Sequence, residues 1–377
     1  MAKVAGAQSG NGSSKSKLVV PSKLAVPPNL VIPPNLVIPP LMIPKDGLQP
    51  APEIEQPNIF PLEWPVKTEP LAALYEKAKR SAWNPSDLSW DQLDPAQFTA
   101  EERMGMMYWY TVLSVFDGSG PAVFARAMIH SYELHTEDPI RKCFFSVTHD
   151  EMNHEECCQR AIQRLVPGGP LRFEARTEVE RAALNNIQWL SFNGSRYWRG
   201  YSASIDKYPL SVLFTSFLLG EVAASTLFYG MSRRTTLPVF KEVFTRVGQD
   251  ESRHLAICLK MLEDDWPGLT EDYKNLITKQ LRAGFVFLSM ILWEPPNMFW
   301  ELPDYFLPNH RALMQYARQA GLGVLSYDDQ AENWRMAIAK VRKVVGDWGI
   351  KFPAIPELDI EGVDVGNITA ADIIPVF

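Results

Sequence analysis

Asp150-Glu151-Met152-Asn153-His154 and Asp250-Glu251-Ser252-Arg253-His254 are two copies of one pattern, Asp-Glu-x-x-His, each set inside a long helical periodicity. Side chains three apart on an α-helix share a face. Glu151 and His154 can therefore aim at one spot, and so can Glu251 and His254. A lone Glu-x-x-His says little, because it is common by chance. Two copies, each led by Asp and each deep in a helix, point to a shared task. Mixed carboxylate and imidazole donors suit iron or manganese better than zinc or copper. A dinuclear carboxylate centre in a helical bundle takes Glu-x-x-His from two helices and one further carboxylate from each of the other two.

Working outward, the third helix supplies its acid clearly. Glu221 stands 30 residues before Glu251 (251 − 221) on a face shared with Leu210, Phe214, Phe217, Leu218, Ala224, Ser225 and Phe228. An acid on such a face must be paired or metal-bound. A turn near Arg233 to Leu237 lies midway, so an antiparallel hairpin brings Glu221 and Glu251 level, each about 20 Å from the turn at ~1.5 Å per residue. The first helix is harder to read. The same logic wants an acid near residues 118–122, and there is none. Glu133 lies too near the turn and Glu101 and Glu102 too far from it, which leaves Asp117 as the first-helix ligand. Asp150 and Asp250 are placed behind the ligands, where a carboxylate fixes the tautomer of a ligating imidazole. Without metal, four buried carboxylates and two histidines would be very costly.

The rest of the chain agrees with an all-α protein. Helices are expected at 71–82, from Thr99 to about 137 with a break at Asp117-Gly118-Ser119-Gly120-Pro121, and at 139–166. Others are expected at 176–192, 209–231, 238–263, 269–293, 308–320 and 330–347. Thr99 and Glu102 have capping-box spacing, and Pro139 suits a first helical turn. Short Pro-marked connections favour antiparallel packing. Three domains are expected: an extended arm over 1–65, a helical metal domain over 66–350 and a tail over 351–377. In the arm, Val26-Pro27-Pro28-Asn29-Leu30-Val31 repeats every six residues, and paired prolines make polyproline-like chain rather than core. It is read as packing on the main domain or a neighbouring subunit, with a docking segment for a partner as the alternative. A homodimer is consistent with such an arm.

The net charge of −7 gives no case for nucleic acid or an anionic membrane. Tyr208 to Met231 is long enough to span a bilayer, but Glu221 near its middle favours a buried bundle helix. Cys143, Cys157, Cys158 and Cys258 lack zinc-type spacing and read as thiols of a reducing cytoplasm.

The order acid, Glu-x-x-His, Glu, Glu-x-x-His resembles the ferritin-like di-iron carboxylate proteins. Leu74-Tyr75-Glu76-Lys77-Ala78-Lys79, then Trp83-Asn84-Pro85 and Leu88-Ser89-Trp90, resembles the segment before the bundle in ribonucleotide reductase small subunits and p-aminobenzoate N-oxygenase-like proteins. The similarity runs from about residue 70 to 265. It implies a ferritin-like four-helix bundle with Asp117, Glu151, His154, Glu221, Glu251 and His254 as ligands. It also implies two iron ions, or Mn/Fe or Mn/Mn. Two departures matter. The radical-bearing reductase subunits carry a tyrosine one turn after the first ligand histidine, where this chain has Cys158. The N-oxygenases often carry a histidine one turn before the last Glu, where this chain has Val247.

The function expected is therefore a non-haem di-iron oxygenase that uses O₂ to oxidise a small organic substrate. Alternatives are a one-electron oxidase like the reductase small subunit, or an iron-binding ferroxidase. Gly118-Ser119-Gly120 follows a helix rather than a strand, so it is not a nucleotide loop; electrons are expected from a separate reductase or ferredoxin. Catalytic residues beyond the ligands are not legible; Met107, Phe116, Phe124, Phe217 and Leu218 are candidates for a pocket wall, with plain core the favoured reading of each.

Overall fold

A computed structural model describes residues 69–118, 120–170, 174–204, 208–292, 302–369 and 372, without the side chains of 116, 194–204, 216 and 290–292. The proline repeats, and the arm over 1–65 as a whole, lie outside these residues. Among the described residues there is no strand, only isolated bridges at Pro353–Val363 and Ile355–Ile360. The helices are α1 Glu69–Ser81, α2 Ala100–Asp117, α3 Gly120–Glu133, α4 Asp138–Leu165, α5 Glu178–Ser204, α6 Leu210–Arg234, α7 Pro238–Asp265, α8 Glu271–Leu292, α9 Phe306–Gln319 and α10 Tyr327–Asp347.

Local chemistry sets most of the boundaries. At the start of α2, the Thr99 N–H donates to Glu102 Oε2 (2.8 Å) and the Glu102 N–H to Thr99 Oγ1 (3.1 Å), a reciprocal cap. Thr177 and Glu180 repeat it at α5. Pro139 and Pro238 sit in the first turns of α4 and α7, where a missing N–H costs nothing. Two boundaries differ from expectation. α3 stops at Glu133 rather than near 137. There His135 adopts φ 52°, and the Thr136 N–H returns to Ser131 O (3.0 Å) while the His135 N–H returns to Tyr132 O (3.1 Å). This is a Schellman stop with histidine in the seat usually held by glycine. α5 continues past 192, through Asn193 and Gly194, to Ser204. The Asn193 amide turns back on Trp189 O (2.9 Å) instead of ending the helix.

The long helices pack in pairs. The broken pair α2 and α3 packs along α4, α6 packs along α7, and α4 meets α7. α1 lies across α4 and α7, α5 and α9 cover α2, and α8 and α10 cover α6. Beyond α10 the chain returns to the same core, burying Phe352, Ile355 and Leu358. Arg282 of α8 holds Glu357 at 2.7 Å. Ala100–Glu133 and Leu210–Arg234 are long and apolar enough by composition to cross a membrane. In the second, 82% of the apolar window is buried against neighbouring helices. Such a helix is apolar nearly all round because it is surrounded by protein.

Candidate metal centre

The two motif helices and α6 bring their acids to one buried point. One oxygen or nitrogen from each of Glu151, Glu221, Glu251 and His254 lies within 4.8 Å of all the others, and all four residues are buried. His254 Nδ1 is 3.4 Å from Glu151 Oε1, 3.4 Å from Glu221 Oε2 and 3.3 Å from Glu251 Oε2. His154 joins from the other side, its Nδ1 3.4 Å from Glu251 Oε1 and 3.9 Å from Glu151 Oε2. Glu151 and Glu251 thus each offer one oxygen to each imidazole, and the two rings stand 6.0 Å apart, centroid to centroid. The level pairing of Glu221 and Glu251 follows from the short α6–α7 hairpin.

Behind the histidines the arrangement is crossed. Asp150, on the helix of His154, bonds His254 Nε2 (3.2 Å), and Asp250, on the helix of His254, bonds His154 Nε2 (3.3 Å). Arg253 bridges the two aspartates, donating to Asp150 Oδ2 at 2.6 Å and Asp250 Oδ1 at 2.7 Å. The Trp83 indole N–H adds a 2.7 Å bond to Asp250, and Asn153 ties the Trp83 carbonyl back to α4 (3.1 Å). The motif spacing does not say which histidine each aspartate serves. Arg253 and Trp83 were not singled out from sequence as part of the centre. An arginine three residues after Asp250, on the buried face of α7, was the available signal.

Asp117 ends α2 just before the break. It stands outside the tightest cluster and is partly buried, with the Cys158 thiol donating to its Oδ2 (3.7 Å). It still feels the centre: burial first, then the Glu151 charge, raises its carboxyl well above the usual range. Gly120, at the start of α3, lets the backbone touch the centre, since a Cβ there would sit 2.4 Å from Glu151 Oε2. Of the pocket-wall candidates, Phe124 and Phe217 pack at a tilt with ring centroids 4.6 Å apart and Phe124 lies 6.4 Å from the His254 ring, whereas the Phe116 side chain is not among those described. Met107 and Leu218 are fully buried core.

The electrostatics are those of too many acids in too little space. Burial, then the charge of Glu251, raises the carboxyls of Glu221 and Glu151. For Glu251 burial works the same way, but the close approach of Glu221 and the two histidines outweighs it and holds it well below the usual range. Burial pushes both imidazoles down, yet their carboxylate partners win and hold His154 and His254 well above the ordinary value. His254 and Arg253 overcome the burial of Asp150 and hold it at about 2. His154 Nδ1, His254 Nδ1, Glu221 Oε2 and Glu251 Oε2 are buried and make no aligned hydrogen bond. Native interiors rarely leave such atoms unsatisfied. Glu221, Glu251 and His254 share one cluster, and His154 Nδ1 reaches Glu251 Oε1 at 3.4 Å, so the donor set fits cations.

No protein-family model matches the chain, and no curated protein matches it in sequence. Solved structures do match. Three point variants of an R2-like ligand-binding oxidase, each with an aerobically reconstituted Mn/Fe cofactor, superpose with TM-score 0.50 at 18% identity. The alignments cover 74% of this chain and 97%, 93% and 93% of those chains. An order of helices, a crossed pair of Asp-Glu-x-x-His motifs and these superpositions lead to one conclusion: the chain has the ferritin-like helical fold of the R2-like ligand-binding oxidases.

Proposed function

We propose that this centre holds two metal ions and uses them to activate O₂ for the oxidation of a small organic substrate. The observation that carries the proposal is the buried cluster of Glu151, Glu221, Glu251 and His254, in which Glu221 Oε2, Glu251 Oε2 and His254 Nδ1 have no hydrogen-bond partner. In the proposed centre, Asp117, Glu151, His154, Glu221, Glu251 and His254 are the ligands. Asp117, Glu151, Glu221 and Glu251, all ionised, balance two divalent cations when both imidazoles are neutral. The donor set suits Fe/Fe, Mn/Fe or Mn/Mn. The oxidase variants of the same fold carry Mn/Fe, which favours that family of pairs over zinc.

Bound there, the metals supply electrons to O₂ and oxidising power to the substrate. The protein's part is to place and protect them. Asp150 and Asp250 accept the Nε2 protons of His254 and His154, which turns each Nδ1 lone pair inward. Arg253 keeps both aspartates ionised for that task. Glu151 and Glu251 span the two imidazoles, so each has an oxygen for either ion. Phe124 and Phe217 keep water from the His254 side. Electrons come from an external reductase or ferredoxin.

Metal-free chain loaded under anaerobic conditions with Fe(II), or with Mn(II) and Fe(II), is expected to take up about two ions per chain. Air should then be consumed once per reduced centre, and continuously only when an electron donor is added. Uptake of many ions per chain, or a loaded centre inert to O₂, overturns the proposal.

A further inference from the structure

A cavity lies away from the metal centre, where the end of α7 meets the starts of α6 and α8. Its volume is about 550 Å³, within the range of small-molecule sites. The floor is apolar and fully packed: Leu71, Leu210, Phe214 and Met261 are each at most 6% exposed. Tyr208, Tyr273, Asp264 and Asp265 bring polar groups to the rim, beside Leu134.

The floor is the end nearer the metal centre. Met261 lies seven residues beyond His254, and Phe214 seven before Glu221, so each is about 10 Å from the centre along its helix at ~1.5 Å per residue. Phe214, Phe217 and Phe124 continue the wall to His254, with successive ring separations of 6.5, 4.6 and 6.4 Å. The two aspartates close α7, a turn farther out.

The sign of the rim is negative. No lysine or arginine is among the described residues lining it. Lys260 is taken by Asp264 at 2.7 Å and by Glu263 at 3.0 Å. Asp265 has no ion pair among the described residues. Partial burial, then the charge of Asp264, raises its carboxyl. His130 also lines the cavity, but its Nδ1 is turned to Glu133 Oε2 at 3.2 Å. The carboxyl end of α7 and the amino end of α6 meet here with opposed dipoles, so the side chains decide the sign. Tyrosine rings at a rim add to the attraction of a cation.

We propose that this cavity binds an amphiphilic organic cation, its ammonium at Asp265 and its apolar body running inward over Met261 and Phe214. The site stands on its own geometry, whether or not the metals oxidise what it holds. The test is calorimetric titration of the full chain, without O₂, with three probes of equal length: octylammonium, octanol and octanoate. Octylammonium is expected to bind once per chain and at least tenfold more tightly than octanoate. Asp265→Asn should remove that preference and leave octanol unchanged. Leu134→Trp, at a half-exposed residue of the mouth, should weaken all three. Octanoate binding as tightly as octylammonium, an unaltered preference in Asp265→Asn, or no saturable binding of any probe overturns the proposal. None of these readings depends on turnover, so a failure here leaves the oxidation proposal to its own experiment.

Discussion

Gly120→Ala separates the fold from the centre. The added Cβ would lie 2.4 Å from Glu151 Oε2, 2.8 Å from its Cδ and 3.0 Å from its Cγ. An ordinary contact of 3.4 Å requires the carboxylate to retreat by about 1 Å (3.4 − 2.4). That is cheap for the fold, because the three nearest atoms all belong to the end of one flexible side chain. Helix propensity adds little, since Gly120 precedes Pro121, which already restricts it; the net change in stability should stay within about 1 kcal/mol. For the centre the same movement is large. Functional groups must be held within roughly 0.5 Å, and misplacement by about 1 Å can cost on the order of 100-fold in rate. The expected result is a chain that melts like the parent but binds metal about 10- to 100-fold more weakly. Gly220→Ala is the control: it adjoins Glu221 with nothing within 4 Å of its new Cβ, and it should bind metal normally. Metal content and O₂ reactivity equal to the parent in Gly120→Ala would refute the reasoning.

Three further outcomes are expected. Arg253→Met leaves Asp150 and Asp250 buried without their shared cation and should lower stability by about 3–5 kcal/mol, read by denaturant unfolding; an unchanged midpoint would remove the bridge from the account. Asp250→Asn should weaken metal binding about 10- to 100-fold through His154 on the opposite helix, and electron paramagnetic resonance of the loaded protein should show the change at one ion; equal perturbation of both would argue against the crossed pairing. Metal uptake should release protons. Without metal both imidazoles hold protons above their ordinary range, and each must lose one to bind, so affinity should rise between about pH 6 and pH 8. An indicator-dye titration checks this, and a flat affinity over that range would contradict it.

How much of this was legible beforehand depends on distance along the chain. Thr99–Glu102 and Glu151–His154 are read from neighbours three apart, and the helix period makes such pairs nearly certain to share a face. Glu221 and Glu251 needed one more element, a short turn, and counting residues from it placed them level. Asp117 defeated the same counting because the glycines after it break the helix and lose the phase. The stop after Glu133 was hidden because histidine, not glycine, takes the left-handed position. α5 ran on because an asparagine satisfied itself within the helix. The crossing of Asp150 and Asp250 belongs to tertiary structure alone. Spacing puts each aspartate beside its own motif, and only the approach of α4 to α7 decides whose imidazole it meets.

That crossing makes the two motif helices a gauge for one another. Slip α4 against α7 by a single turn, about 5.4 Å, and both imidazoles lose their anchors together, while Arg253 keeps at most one acid. Neither helix can assemble half a centre by itself. Correct docking is therefore sensed by a pair of carboxylates before any ion arrives, and a misregistered bundle presents loose imidazoles instead of a binding site.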